Sequence, residues 1–247
     1  MVIDKRRFTV LTANVHSRFM TGADRRTLPV YSIEEASGYL GIPVGTLRSW
    51  STGRSKQDHS GDSYRPVLIG VDQHFRRLSF FDLVEAHILR AAVEKDVPMQ
   101  HIKRGMNYVR SRYPGDLHPL LSLSFKTDGK YLLIGGMLGS DEKDQEALVN
   151  ASRDGQLEMT AVIEDYLQLV GRAADGLPDT LFPKDGNRVV SITSGILSGR
   201  PVIEGTRIST AIVAQRFLAG ENIAKLANDY QLPKEKIEAA IKYEKAA

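Results

Sequence analysis

Cysteine is absent from this chain of 247 residues. That excludes disulfides, thiolate metal sites and cysteine nucleophiles. No apolar run approaches the roughly 18 residues that a membrane-spanning helix needs. The opening MVIDKRRFTVLTANVHS holds no apolar signal core followed by small residues, so a cytoplasmic protein is the expectation. Aromatics are scarce, and Trp50 is the sole tryptophan. Catalytic patterns are missing as well. His16, His59, His74, His87, His101 and His118 show no metal-ligand spacing with acidic residues. No Ser-His-Asp set or Gly-x-Ser-x-Gly stands out. Asp141, Glu142 and Asp144 read as a solvated helix start. Asn150-Ala151-Ser152 fits a glycosylation sequon without a secretory context. No enzyme, cofactor or metal is expected.

What is present begins with charge. The net charge is only +3, but residues 1–112 carry 18 Lys and Arg against 11 Asp and Glu, and the remainder 15 against 19. A basic front and an acidic back suit a polyanionic partner for the front half, although an imbalance of this size also arises by chance. The hydrophobic content of 42% is enough for real cores, and the length allows one large domain or two to three small ones.

Along the chain, residues 1–30 suggest a short strand at Phe8–Leu11 and a mobile arm bearing Arg18, Arg25 and Arg26. Ser32 stands three residues before Glu35, the spacing of a capping box. Ile33, Ala36, Tyr39 and Leu40 follow with helical periodicity, and Gly41 ends that helix. Pro43 suits the first turn of a second helix carrying Val44, Leu47 and Trp50. Residues 51–63 are turn-rich. Val67–Val71 and Phe75–Leu78 read as a short hairpin. Ser79 caps a further helix, and Pro98 starts another. Pro114-Gly115 breaks the chain. A hairpin is expected within 119–137, an acidic helix over 141–150, an amphipathic helix over 158–171 and a linker over 172–187. The last block ends in three short helices, 209–219, 221–230 and 233–245.

The segment SIEEASGYLGIPVGTLRSW, Ser32–Trp50, combines a short helix, a tight glycine turn and a second short helix. Small Ala36 permits a close helix crossing, and Leu40, Ile42 and Leu47 fill the joint. Thr46, Arg48 and Ser49 are left near the outer face of the second helix, a geometry that lays a helix in a major groove. The segment resembles the winged helix-turn-helix of MerR-type regulators in Glu35-Ala36, Gly41, Leu47-Arg48 and Trp50. Downstream, Arg76, Ser79, Asp82 and Leu83 match the wing exit and third helix. Ser49 and Leu78 depart from the family pattern, which leaves base specificity open. The resemblance implies that Arg48 and Trp50 touch phosphates and that Arg76 and Arg77 lie on the wing. Arg54, Lys56 and Arg65 in the intervening loop would add backbone contacts, and Thr46 and Ser49 would face base edges. The competing role for Trp50 is a core or interface anchor. The long coiled coil and effector cysteines of metal-sensing MerR proteins are lacking, so a metal-responsive regulator is not expected.

GRPVIEGTRIS, Gly199–Ser209, could be a phosphate loop or a strand-turn element. A P-loop needs two glycines separated by four residues, followed by Lys and Ser or Thr. Here Gly199 and Gly205 are separated by five residues, and Thr206-Arg207 follow. The stretch reads instead as extended Pro201-Val202-Ile203 between two glycine turns, with Val189–Ile192 as a preceding strand and Ser209 capping the next helix. Exposed edges of such a β-arm invite strand pairing with another chain.

This stretch and the helices after it resemble a bacterial domain of unknown function, number four-three-three, found in antitoxins of type II toxin–antitoxin pairs. The matching residues are Gly199, Pro201, Val202, Ile203, Gly205, Thr206, Arg207, Gly220, Ala239, Ala240 and Tyr243. Joined to a MerR-like front, the pattern looks like a larger VapB-type antitoxin. The resemblance implies a PIN-like ribonuclease toxin as partner, with Arg200 and Arg207 as candidates to enter its acidic cleft. A salt bridge to Glu204 or to a neighbouring strand is the competing role for both. The expected fold is mainly α with short β-hairpins. It comprises an arm (1–30), a winged helix-turn-helix (31–113), an α/β middle segment with linker (114–187) and a trihelical domain with a β-arm (188–247). The expected function is toxin neutralisation with autorepression at operator DNA, as a homodimer. The alternative is a stand-alone regulator with an effector-binding back half.

Overall fold

The computed structural model describes residues 24–52, 66–68, 71, 76–94, 99–112, 115–121, 163–183 and 187–246. The expected strand at Phe8–Leu11, the residues Arg18, Arg54, Lys56 and Arg65, most of the hairpin within 119–137 and the acidic helix over 141–150 lie outside them.

Helix α1 spans Ile33–Leu40. The capping box is complete: Glu35 N donates to Ser32 Oγ at 3.1 Å, and Ser32 N donates to Glu35 Oε2 at 2.9 Å. Gly41 stops the helix in the left-handed region, φ 60°, where a Cβ would be costly. Helix α2, Val44–Thr52, follows at once, its first turn bonded to the Pro43 carbonyl. Ala36, Leu40, Ile42 and Leu47 are all buried at the joint. Helix α3, Phe80–Glu94, is capped reciprocally by Ser79 and Asp82. Helix α4 covers Met99–Arg112, and a 3-10 turn follows at Pro119–Leu121. Leu78 bridges Tyr31 in antiparallel fashion, so the residues just before α3 are pinned to the entry of α1.

Residues 163–168 are helical, but the expected helix does not reach 171: Val170 opens strand β1, Val170–Arg172. Strand β2, Pro178–Leu181, then occupies part of the stretch expected as a linker. With β3, Val190–Thr193, and β4, Val202–Ile203, these form an antiparallel sheet in the order β1-β2-β3-β4 among the described residues. The register pairs Leu181 with Ile192 and Val190 with Ile203. The supposed β-arm is therefore internal. β3 is paired on both sides, and beyond β4 the chain closes on itself through Val202 and Ser209 and an Ile203 N–H donated to the Ile208 carbonyl. No free edge remains there for another strand. Ser209 stands at the start of the next helix but makes no side-chain cap.

Three helices complete the chain: α5, Thr210–Leu218; α6, Ile223–Tyr230; and α7, Lys234–Ala246. The sheet divides two cores. Leu181 and Ile192 join the front cluster with Leu40, Trp50, Phe81 and Tyr166, whereas Ile203 joins Val213, Leu226, Ile237 and Ile241. The arm expected to be mobile is tied down at its end. Arg26 reaches Asp24 at 2.7 Å and Asp175 at 2.6 Å, and its guanidinium lies 5.3 Å from the Phe81 ring centre.

Candidate nucleic-acid interface

The capped start of α1, the outer face of α2 and the residues before α3 meet at one open depression. It is lined by Ser32, Ile33, Glu34, Arg48, Arg76 and Arg77. Each side chain has a local reason to be there. Arg48 lies on α2 one residue after buried Leu47, so it must point outward, and it is 56% exposed. It pairs with Glu34 of α1 at 2.8 Å. Arg76 takes a left-handed backbone, φ 51°, at the turn that leads into the Tyr31–Leu78 bridge. Arg77 donates from Nη1 to the Val30 carbonyl at 2.8 Å, which fixes its stem beside the α1 entry. Three arginines thus line the start of α1, where the capping box is closed and Glu34 offsets one of the positive charges. Arg forks suit phosphate oxygens in this geometry.

The sequence-derived candidates divide accordingly. Arg48, Arg76 and Arg77 are brought together and exposed. Thr46 and Ser49 sit half-buried on α2. Trp50 is a correction: it is fully buried, so its indole cannot touch a phosphate and instead anchors the front core. Its carbonyl accepts the Leu68 N–H at 2.9 Å, which ties Leu68 onto α2. Glu34 was missed. Its position on the first turn of α1, opposite a Leu-Arg pair, was the available signal.

In the C-terminal part of the chain Arg200 and Arg207 are both exposed. No ion pair between either of them and Glu204 is present among the described residues. Gly199 has a different task. It adopts φ +78°, and a Cβ there would lie 2.0 Å from the Tyr31 hydroxyl oxygen. Tyr243 of α7 donates its hydroxyl to the Tyr39 carbonyl of α1 at 3.1 Å. The opening glycine of GRPVIEGTRIS is thus a docking point for the helix-turn-helix unit, and no phosphate-cradling loop forms. Burial pushes the Tyr39 phenol up to about 12, as befits a ring held at this junction.

Comparison with known proteins agrees with both ends. Residues 29–106 match the family described as "Putative DNA-binding HTH domain", and residues 190–243 match "Protein of unknown function (DUF433)". The chain carries both domains. The DUF433 domain begins at β3 and runs through most of α7, so it includes the glycine that meets Tyr31. A Mycobacterium tuberculosis protein named "Putative antitoxin VapB45" is 28% identical over 88% of this chain and 94% of its own length. A second protein of that organism, "Uncharacterized protein Rv2308", is 28% identical over 87% and 90% respectively. The X-ray crystal structure of Rv2018 from Mycobacterium tuberculosis superposes with a TM-score of 0.63 at 25% identity. It covers 87% of this chain and 98% of that one. No helix among the described residues is long and apolar enough to cross a membrane.

Proposed function

We propose that the protein is an antitoxin that binds operator DNA through its helix-turn-helix domain and silences a cognate PIN-like ribonuclease toxin. The observation that carries the DNA half is the convergence of Arg48, Arg76 and Arg77 on one face beside the α1 N-terminus. The toxin half is supported by the DUF433 domain and by the antitoxin name of a relative that aligns over most of both chains. Residues 31–113 form the DNA-reading unit, with Thr46 and Ser49 nearest base edges and the loop residues Arg54, Lys56 and Arg65 adding phosphate contacts. Residues 188–247 form the toxin-facing unit, with Arg200 and Arg207 exposed to enter a carboxylate cleft. A homodimer reads two half-sites and represses the operon, and no catalysis is involved.

The test is binding to the protein's own promoter fragment as salt is raised. Affinity falls steeply with salt, and each of Arg48→Ala, Arg76→Ala and Arg77→Ala lowers the log–log slope by about one per half-site. The replaced side chains are exposed, so circular dichroism remains unchanged. Unchanged affinity and slope in all three variants contradict the assignment.

A further inference from the structure

A second cluster lies at the start of α3. Asp82, Glu85 and His118 place one ligand atom each within 4.8 Å of one another. His118 Nδ1 is 3.2 Å from Glu85 Oε2 and 3.9 Å from Asp82 Oδ1. The two carboxylates are buried, and the imidazole is nearly so.

The far oxygen of each carboxylate is held from outside the cluster. Asp82 Oδ2 accepts from Ser79 N at 2.8 Å and Ser79 Oγ at 2.7 Å, and Glu85 Oε1 accepts the Leu120 N–H at 3.2 Å. The near oxygens face inward. Asp82 Oδ1 is buried without a hydrogen-bond partner. The His118 backbone N–H donates to Asp116 Oδ1 at 2.9 Å, and its ring packs 5.4 Å from Phe81. Outer partners that fix inward-facing ligand atoms are the usual support of a metal site. The polar inventory points the same way: Asp82 Oδ1 is fully buried and receives no hydrogen bond, and the nearest ring nitrogen, His118 Nδ1, stands 3.9 Å away, beyond hydrogen-bond reach.

We propose that Asp82 Oδ1, Glu85 Oε2 and His118 Nδ1 bind one divalent transition-metal ion, with Zn²⁺ the best match to a mixed imidazole and carboxylate set. Three such ligands leave a fourth position for water in tetrahedral geometry, with bonds of about 2.0–2.2 Å. The ion neutralises both carboxylates and clasps the segment at 115–121 to α3. This site needs no cysteine, which is how it differs from a thiolate sensor. Neither of its helix ligands is among the residues proposed to touch DNA.

The experiment uses the full chain with any purification tag removed and metals stripped by chelator. Zn²⁺ is titrated by calorimetry, and thermal unfolding is followed with and without it. The expected result is about one ion per chain, a raised melting temperature, and affinity at least roughly tenfold weaker in Glu85→Gln and His118→Gln. Diffraction from Zn²⁺-soaked crystals at the zinc absorption edge locates the ion independently of any variant. An anomalous peak between the three side chains supports the site even if the variants fail to fold. No binding by the native chain, equal binding by folded variants, or a peak elsewhere overturns it.

Discussion

Gly199 shows most sharply how one residue joins the two ends of the chain. Its backbone lies at φ +78°, where a Cβ costs roughly 1–2 kcal/mol before any contact is counted. The Tyr31 ring fills the space that Cβ would need. Gly199→Ala is therefore expected to destabilise the protein by more than about 2 kcal/mol, while Gly205→Ala, at φ +77° with open space around it, loses only the backbone term. Chemical denaturation of the two variants separates these outcomes, and equal losses contradict the docking role of Gly199. The residue scale also shows what a sequence conceals. Glycine at 199 announced a turn, but the tyrosine it accommodates is 168 residues away. Trp50 had two credible roles, and only its burial decides for the core. Asp82 and Glu85 are a visible pair on one helix turn, but His118 is 33 residues from Glu85 and joins them through a loop with no periodicity to betray it.

At the scale of elements, legibility tracks length and local chemistry. The α1 capping box, the Gly41 stop, the Ser79 cap and the three terminal helices could all be read, because each rests on interactions within four residues. Strands β1 and β2 could not. They have three and four residues, too few for alternation to register, and they lie among Gly, Pro and Asp residues that read as linker. The junction of α5 and α6 offers a pH test. Arg216 binds Glu221 at 2.7 Å and Asp229 at 2.5 Å and lies over the Tyr230 ring. Hydrogen bonds from Arg216, then Lys225, hold the Glu221 carboxyl down at about 2. A depressed carboxyl contributes stability above its ordinary range and loses it as pH falls through that range toward 2. The melting-temperature advantage of the native chain over Glu221→Gln is thus expected at pH 6 and is expected to vanish near pH 2. An advantage that grows on acidification contradicts the ion-pair assignment.

At the scale of the whole molecule, the sheet lets one chain carry two surfaces. Its β2–β3 residues Leu181 and Ile192 complete the core under the helix-turn-helix unit, and Ile203 of β4 starts the core under the DUF433 helices. Contacts from Tyr31 to Gly199 and from Tyr243 to Tyr39 fasten the two units, with Arg200 close enough to act on the Tyr39 phenol. Arg48, Arg76, Arg77, Arg200 and Arg207 are all exposed in the assembled chain, as the proposed function requires. The measurement that tests this most directly is co-expression of the tagged full chain with the protein encoded by the adjacent reading frame. The expected result is that the two co-purify, that the chain relieves the other protein's growth toxicity, and that Arg200→Ala with Arg207→Ala weakens the relief while operator binding persists. A neighbour that neither binds nor poisons growth contradicts the antitoxin function and leaves the helix-turn-helix as the centre of a plain regulator.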